Sequence, residues 1–147
     1  MKKLIICLFL FSFSNLYSSE IKFEKIFDDL NKPWSLSFIN KENVIISEKT
    51  GRLLILNLKN KNINEIKHNL SLISLGQGGL LDVLYRDNTI YVSYSENRGN
   101  WETSTTVAKG IFDKEKIVFK NIFRAEPPID SGYHFGSRLV VKDKHLY

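Results

Sequence analysis

The 147-residue sequence has a single cysteine, Cys7, and it lies in an apolar stretch close to the N-terminus. Once that stretch is removed on export, the chain has no thiol for nucleophilic catalysis, disulfides or soft metals, and burial alone must stabilise it. Histidines number three, and no grouping of His, Asp and Glu has the spacing of a metal site. A basic stripe is also missing. Lysines and arginines stand singly or in pairs among acids and asparagines, as in Asn57-Leu58-Lys59-Asn60-Lys61-Asn62. That pattern reads as a solvated loop and argues against a nucleic-acid partner. Helical periodicity is scarce. The hydrophobic, charged and aromatic fractions, 43%, 25% and 12%, are those of ordinary globular chains and exclude long disorder, collagen and coiled coils.

Familiar catalytic signatures are lacking too. Gly76-Gln77-Gly78-Gly79-Leu80 has no Lys-Ser/Thr pair to make a P-loop, and Leu81 stands where a dinucleotide fingerprint needs its third glycine. Gly136-Ser137-Arg138 lacks the second glycine of a nucleophile elbow, which also needs a strand-to-helix turn.

What is present begins with a leader. Met1-Lys2-Lys3 precedes the run Leu4-Ile5-Ile6-Cys7-Leu8-Phe9-Leu10-Phe11, too short to span a bilayer and followed by polar residues, as in a secretory signal peptide. Residues 1–19 are expected to be that signal, with Glu20 the mature start and no stable membrane insertion after cleavage. They hold two lysines and no acid, so their removal lowers the net charge from +5 to +3.

The rest reads as short β-branched and aromatic runs separated by polar turns, an all-β chain. One hairpin pattern recurs. Leu36-Ser37-Phe38-Ile39 with Val44-Ile45-Ile46-Ser47 matches Asp82-Val83-Leu84-Tyr85 with Thr89-Ile90-Tyr91-Val92-Ser93, offset by 46 positions. A third copy, Arg138-Leu139-Val140-Val141 with His145-Leu146-Tyr147, follows at a further 56. Additional strands are expected over 52–58, 105–112 and 116–123. About four strands per repeat at this spacing is a β-propeller blade. A sandwich also has many short strands, but nothing in it requires three hairpins sharing one turn register. Two blades and part of a third leave a ring open, so residues 20–147 are expected to be an incomplete, poorly soluble propeller. Trp34, in Pro33-Trp34-Ser35-Leu36, reads as blade core rather than a sugar platform.

The repeat also nominates a site. Gln77 lies seven residues before Leu84, and His134 six before Val140 of the next copy. Both therefore fall on loops entering the same strand of successive blades, and such loops converge at one mouth of a propeller channel. Asn31 holds the corresponding place in the first copy. Histidine accepts a proton readily near neutrality, and His134 stands in Ser131-Gly132-Tyr133-His134-Phe135-Gly136-Ser137, where glycines permit close backbone approach. His68 and His145 read as surface or strand positions.

Five segments, in order, carry a resemblance: Lys32-Pro33-Trp34-Ser35-Leu36-Ser37-Phe38, Ser47-Glu48-Lys49-Thr50-Gly51-Arg52-Leu53, Gly76-Gln77-Gly78-Gly79-Leu80-Leu81-Asp82-Val83, Tyr91-Val92-Ser93-Tyr94-Ser95 and Gly132-Tyr133-His134-Phe135-Gly136-Ser137-Arg138-Leu139. Together they resemble the N-terminal part of the pyrroloquinoline quinone (PQQ)-dependent soluble aldose sugar dehydrogenases, the glucose/sorbosone dehydrogenase family. The resemblance implies a six-bladed propeller in the periplasm that oxidises the anomeric hydroxyl of aldose sugars to the lactone. PQQ would take the hydride at the channel mouth, and a respiratory acceptor the electrons. His134 matches the family's general base, and Gln77 its glutamine on the substrate side of the pocket. Tyr133 stands where some members have aspartate, which is similar to the broad-specificity aldose enzymes. Residues gripping the PQQ carboxylates and the calcium ligands lie in later blades of the family, so this segment is expected to hold no metal and to be inactive alone. A non-catalytic propeller that binds a protein or glycan is the alternative. A metal-dependent lactone hydrolase would need carboxylates where this chain has Asn31, Gln77 and His134.

Overall fold

Runs such as Val44-Ile45-Ile46 and Leu53-Leu54-Ile55-Leu56 place apolar side chains on both faces of a strand, so a sheet built from them must be covered on both sides. The computed structural model, which describes residues 21–147, supplies that cover. Strand β1 is Pro33–Phe38, β2 Asn43–Glu48, β3 Leu53–Asn57, β4 Ile63–His68, β5 Leu80–Arg86, β6 Thr89–Gly99, β7 Glu102–Ile111, β8 Lys116–Ile117, β9 Lys120–Arg124, β10 Val141–Lys142 and β11 His145–Leu146. The described residues form no helix, as the scarcity of helical periodicity predicts. The expected leader and its cleavage point before Glu20 lie outside the described residues.

The strands make two meanders of four, β1-β2-β3-β4, which β8 extends to a five-stranded sheet, and β5-β6-β7-β9, with β10-β11 opening a third unit. These are propeller blades, and the three expected hairpins are β1-β2, β5-β6 and β10-β11. Ile45, Leu53 and Ile66 of the first blade pack with Leu80, Val83, Ile90, Val92 and Tyr94 of the second to form the core between them. On the first blade's far face, Val44, Ile46, Leu54 and Leu56 are covered by Phe27, Leu30 and Leu58.

The repeat is visible in hydrogen bonds as well as in strand order. Ser47 Oγ donates to the Leu81 carbonyl across the first blade junction, and Ser93 Oγ donates to the Ser137 carbonyl across the second, both at 2.5 Å. The two donors differ by 46 positions and the two acceptors by 56, the offsets found in the sequence. Asp82, only 1% exposed, joins three units: it accepts from Ser35 Oγ of β1 and, at 2.6 Å, from the Leu139 N–H that leads into β10.

Several expectations are corrected. Residues 116–123 are two strands, not one: β8 leaves to pair in parallel with β4 of the first blade, while β9 stays with β7. Phe119 stands between them with both backbone groups taken by the Asn69 side chain, at 2.7 and 3.1 Å, so the chain crosses between sheets there. β4 escapes sequence reading because only Ile66 of its six residues is buried. The second and third hairpins share a two-residue turn with positive φ at both positions, Asp87-Asn88 and Asp143-Lys144, the type I′ geometry. The first uses a longer turn instead, capped by Asn40 Oδ1 on the Glu42 and Asn43 N–H groups. Trp34 is 45% exposed and is not core. With Leu36 and Phe38 it lines an open face of β1, and Ile122 and Phe123 line another on β9.

Apolar strands left open at both ends of the stack favour association with whatever buries them. A preparation of residues 20–147 is therefore expected to self-associate in light scattering at micromolar concentration. A monodisperse monomer with a cooperative melt would contradict this.

Candidate functional site

Two loops meet at the end of the blades where β5 begins. The first, residues 76–79, enters β5, and the second, 131–137, enters the third hairpin. The approach is close enough to demand glycine: a Cβ on Gly76 would lie 2.5 Å from the Gly132 carbonyl oxygen, and one on Gly79 2.1 Å from that of Lys49. Both positions have positive φ, +55° and +149°, which adds a backbone reason for glycine.

The nominated pair is in direct contact. Gln77 N–H donates to the Gly132 carbonyl at 2.7 Å, and the His134 N–H donates to Gln77 Oε1 at 2.9 Å. His134 has φ of 66°, a left-handed conformation uncommon for a non-glycine residue. Its side chain is exposed, with the Tyr133 ring 6.4 Å away between centroids. Asn31 does not join them by hydrogen bonding. Its backbone N–H is held at 2.7 Å by Glu48 Oε1, a buried carboxylate that Arg52 also pairs with.

Residues to which the sequence assigned no role hold the loops in place. Lys49 Nζ donates to the Gly76 carbonyl. Thr103 Oγ1 donates to the Ser131 carbonyl at 2.7 Å, and Thr105 Oγ1 accepts from the Gly136 N–H at 3.2 Å, so the start of β7 braces the histidine loop. Lys49 lies inside one of the five resembling segments, but no spacing marks it. The threonines look like any β-branched strand residues.

Next to the histidine loop lies an open cavity of about 430 Å³, whose lining includes Thr105, Phe123, Gly136, Ser137 and Tyr147 but neither Gln77 nor His134. His68 and His145 are strand residues, and His68 Nε2 is 2.7 Å from the Gly51 carbonyl oxygen. Among the described residues, no group of three or more His, Cys, Asp or Glu side chains is placed to hold a metal ion.

A second polar cluster lies outward from the mouth. Glu96, with an 8% exposed side chain, takes a bidentate pair from Arg124, both bonds at 2.8 Å. It also accepts from Thr106 Oγ1 at 2.8 Å and Asn121 Nδ2 at 2.9 Å. Burial pushes the Glu96 carboxyl upward, but the Arg124 and Thr106 hydrogen bonds outweigh it and hold it below the ordinary range. Burial, with the Glu96 charge beside it, raises the Tyr94 phenol.

A family model described as Glucose / Sorbosone dehydrogenase matches residues 30–147. The chain is 30% identical over 133 residues to the aldose sugar dehydrogenase YliI of Escherichia coli (strain K12), covering 84% of this chain and 36% of that protein. Its structure is similar to that of the soluble aldose sugar dehydrogenase of Escherichia coli in the apo form, with a TM-score of 0.74 at 30% identity, over 80% of this chain and 37% of that one. It also shares the fold of the PQQ-bound aldose sugar dehydrogenase of Streptomyces coelicolor, with a TM-score of 0.62 at 17% identity, over 71% and 33% of the two chains. The chain thus spans about a third of the length of the relatives it matches.

Proposed function

The chain belongs to the glucose/sorbosone dehydrogenase family, and on that premise we propose that it forms the N-terminal blades of a periplasmic oxidoreductase that converts the anomeric hydroxyl of an aldose to the lactone. The observation that carries this reading is the hydrogen bond between Gln77 and His134, which brings the two nominated loops to one mouth with the imidazole exposed.

In this reading His134 accepts the proton of the sugar C1 hydroxyl as general base. The Gln77 carboxamide faces the same mouth. PQQ, when bound, supplies the hydride acceptor. The residues present fit one side of such a group: a histidine open to the mouth, a carboxamide, and glycine loops with room at Gly136, where an added Cβ would meet only Thr105 at 3.8 Å. The groups that would grip the quinone's carboxylates and bind the calcium expected of the family belong, by the family resemblance, to later blades. The leader, residues 1–19, delivers the protein to the periplasm, where a respiratory acceptor takes the electrons.

The test is dye reduction with a panel of aldoses, with and without PQQ, on residues 20–147 and on a complete ring that carries them. Turnover is expected only from the complete ring with PQQ added. Sugar oxidation that ignores PQQ, or full turnover by residues 20–147, would refute the reading.

A further inference from the structure

We propose that Gln77 is the positioning residue of His134, acting through the histidine's backbone. This rests on the reading of His134 as general base. Three observations carry it. The His134 N–H donates to Gln77 Oε1 at 2.9 Å, across 57 positions of sequence. Gln77 N–H in turn donates to the Gly132 carbonyl at 2.7 Å, so one residue clasps the histidine loop at two points. Of those points, the one at His134 is itself strained, with φ 66°. A non-glycine residue in that region is strained and persists only where its surroundings over-determine it.

The clasp has a consequence for the amide. A backbone N–H only donates, so the oxygen of Gln77 must face His134 and its NH₂ group must point the other way. The side chain therefore uses its oxygen on the histidine backbone and keeps its two amide donors out of that contact. Lys49 fixes the loop that carries Gln77 through the neighbouring Gly76 carbonyl. Gln77 thus sits between a braced loop and the residue whose direction matters most for proton transfer, where a displacement of about 1 Å can cost 100-fold in rate.

The experiment is a double-mutant cycle on a complete ring carrying these residues, assayed with PQQ and a saturating aldose. His134→Ala is expected to lower kcat by about 100-fold or more. Gln77→Ala should lower kcat by about 10-fold with KM changed less than about 3-fold, and the double variant should be no slower than His134→Ala alone, because the two act as a unit. Losses that multiply in the double variant would overturn the positioning role and leave His134 as base. An unchanged kcat in His134→Ala would overturn the base reading and this proposal with it. Gln77→Met, of similar length without the acceptor, is made in parallel. A collapsed melting temperature in both Gln77 variants would make the residue a member of the fold rather than of the site and would also overturn the proposal.

Discussion

Replacing His134 with alanine in the complete protein is expected to reduce kcat by about 100-fold or more while cofactor affinity is largely kept, the signature of a lost general base. The size follows from what alanine removes and what it spares. The imidazole is exposed at the mouth, so its loss opens no core cavity. The backbone contacts of the loop, from His134 N–H to Gln77 and from Gly136 N–H to Thr105, do not involve the side chain and should survive. Stability is therefore expected to change little, and stopped-flow reduction with saturating sugar should locate the defect in the chemical step. Unchanged turnover would end the assignment. A parallel loss of PQQ binding would move His134 from proton transfer to cofactor retention.

The largest stability effect is expected at Glu96. Glu96→Ala strands the Arg124 guanidinium, the buried Thr106 hydroxyl and the Asn121 amide, which all donate to that carboxylate. Arg124 is half exposed and can recover water, which holds the cost to about 3 kcal/mol. The same group predicts an acid limb. Its folded pKa lies below the ordinary value of 4.5, so its contribution is fully present above that value and is lost as pH falls through the depressed folded one. Denaturant melts of the folded ring between pH 7 and pH 3 should therefore show a loss below about pH 4.5 that is blunted in Glu96→Gln. Identical pH profiles for the two proteins would show that the carboxylate's charge contributes nothing to the fold.

How much of this was legible beforehand depended on the range of the interactions. All three hairpins were readable, because β-branched alternation and Asn or Asp turns act over a few residues. The blade offsets were readable because each blade repeats the same local solution. β4 was not, since a strand with one buried residue leaves almost no hydrophobic pattern. The division of residues 116–123 was not, because it hangs on Asn69, about 50 positions away in the chain. Trp34 misled because aromatic character alone cannot say whether a strand face is covered.

The site divides in the same way. From the sequence alone came an all-β chain of repeated blades, the family resemblance, and the placing of Gln77 and His134 on equivalent loops. Each depends on order and periodicity along one dimension. Tertiary structure decided that Gln77 Oε1 takes the backbone N–H of His134, that Asn31 is held by Glu48 instead, and that Asp82 ties β1, β5 and the approach to β10 together. Hydrogen bonds of that kind need two groups within about 3 Å at a defined angle, and only the packing of one blade against the next brings residues so far apart in the chain to that distance.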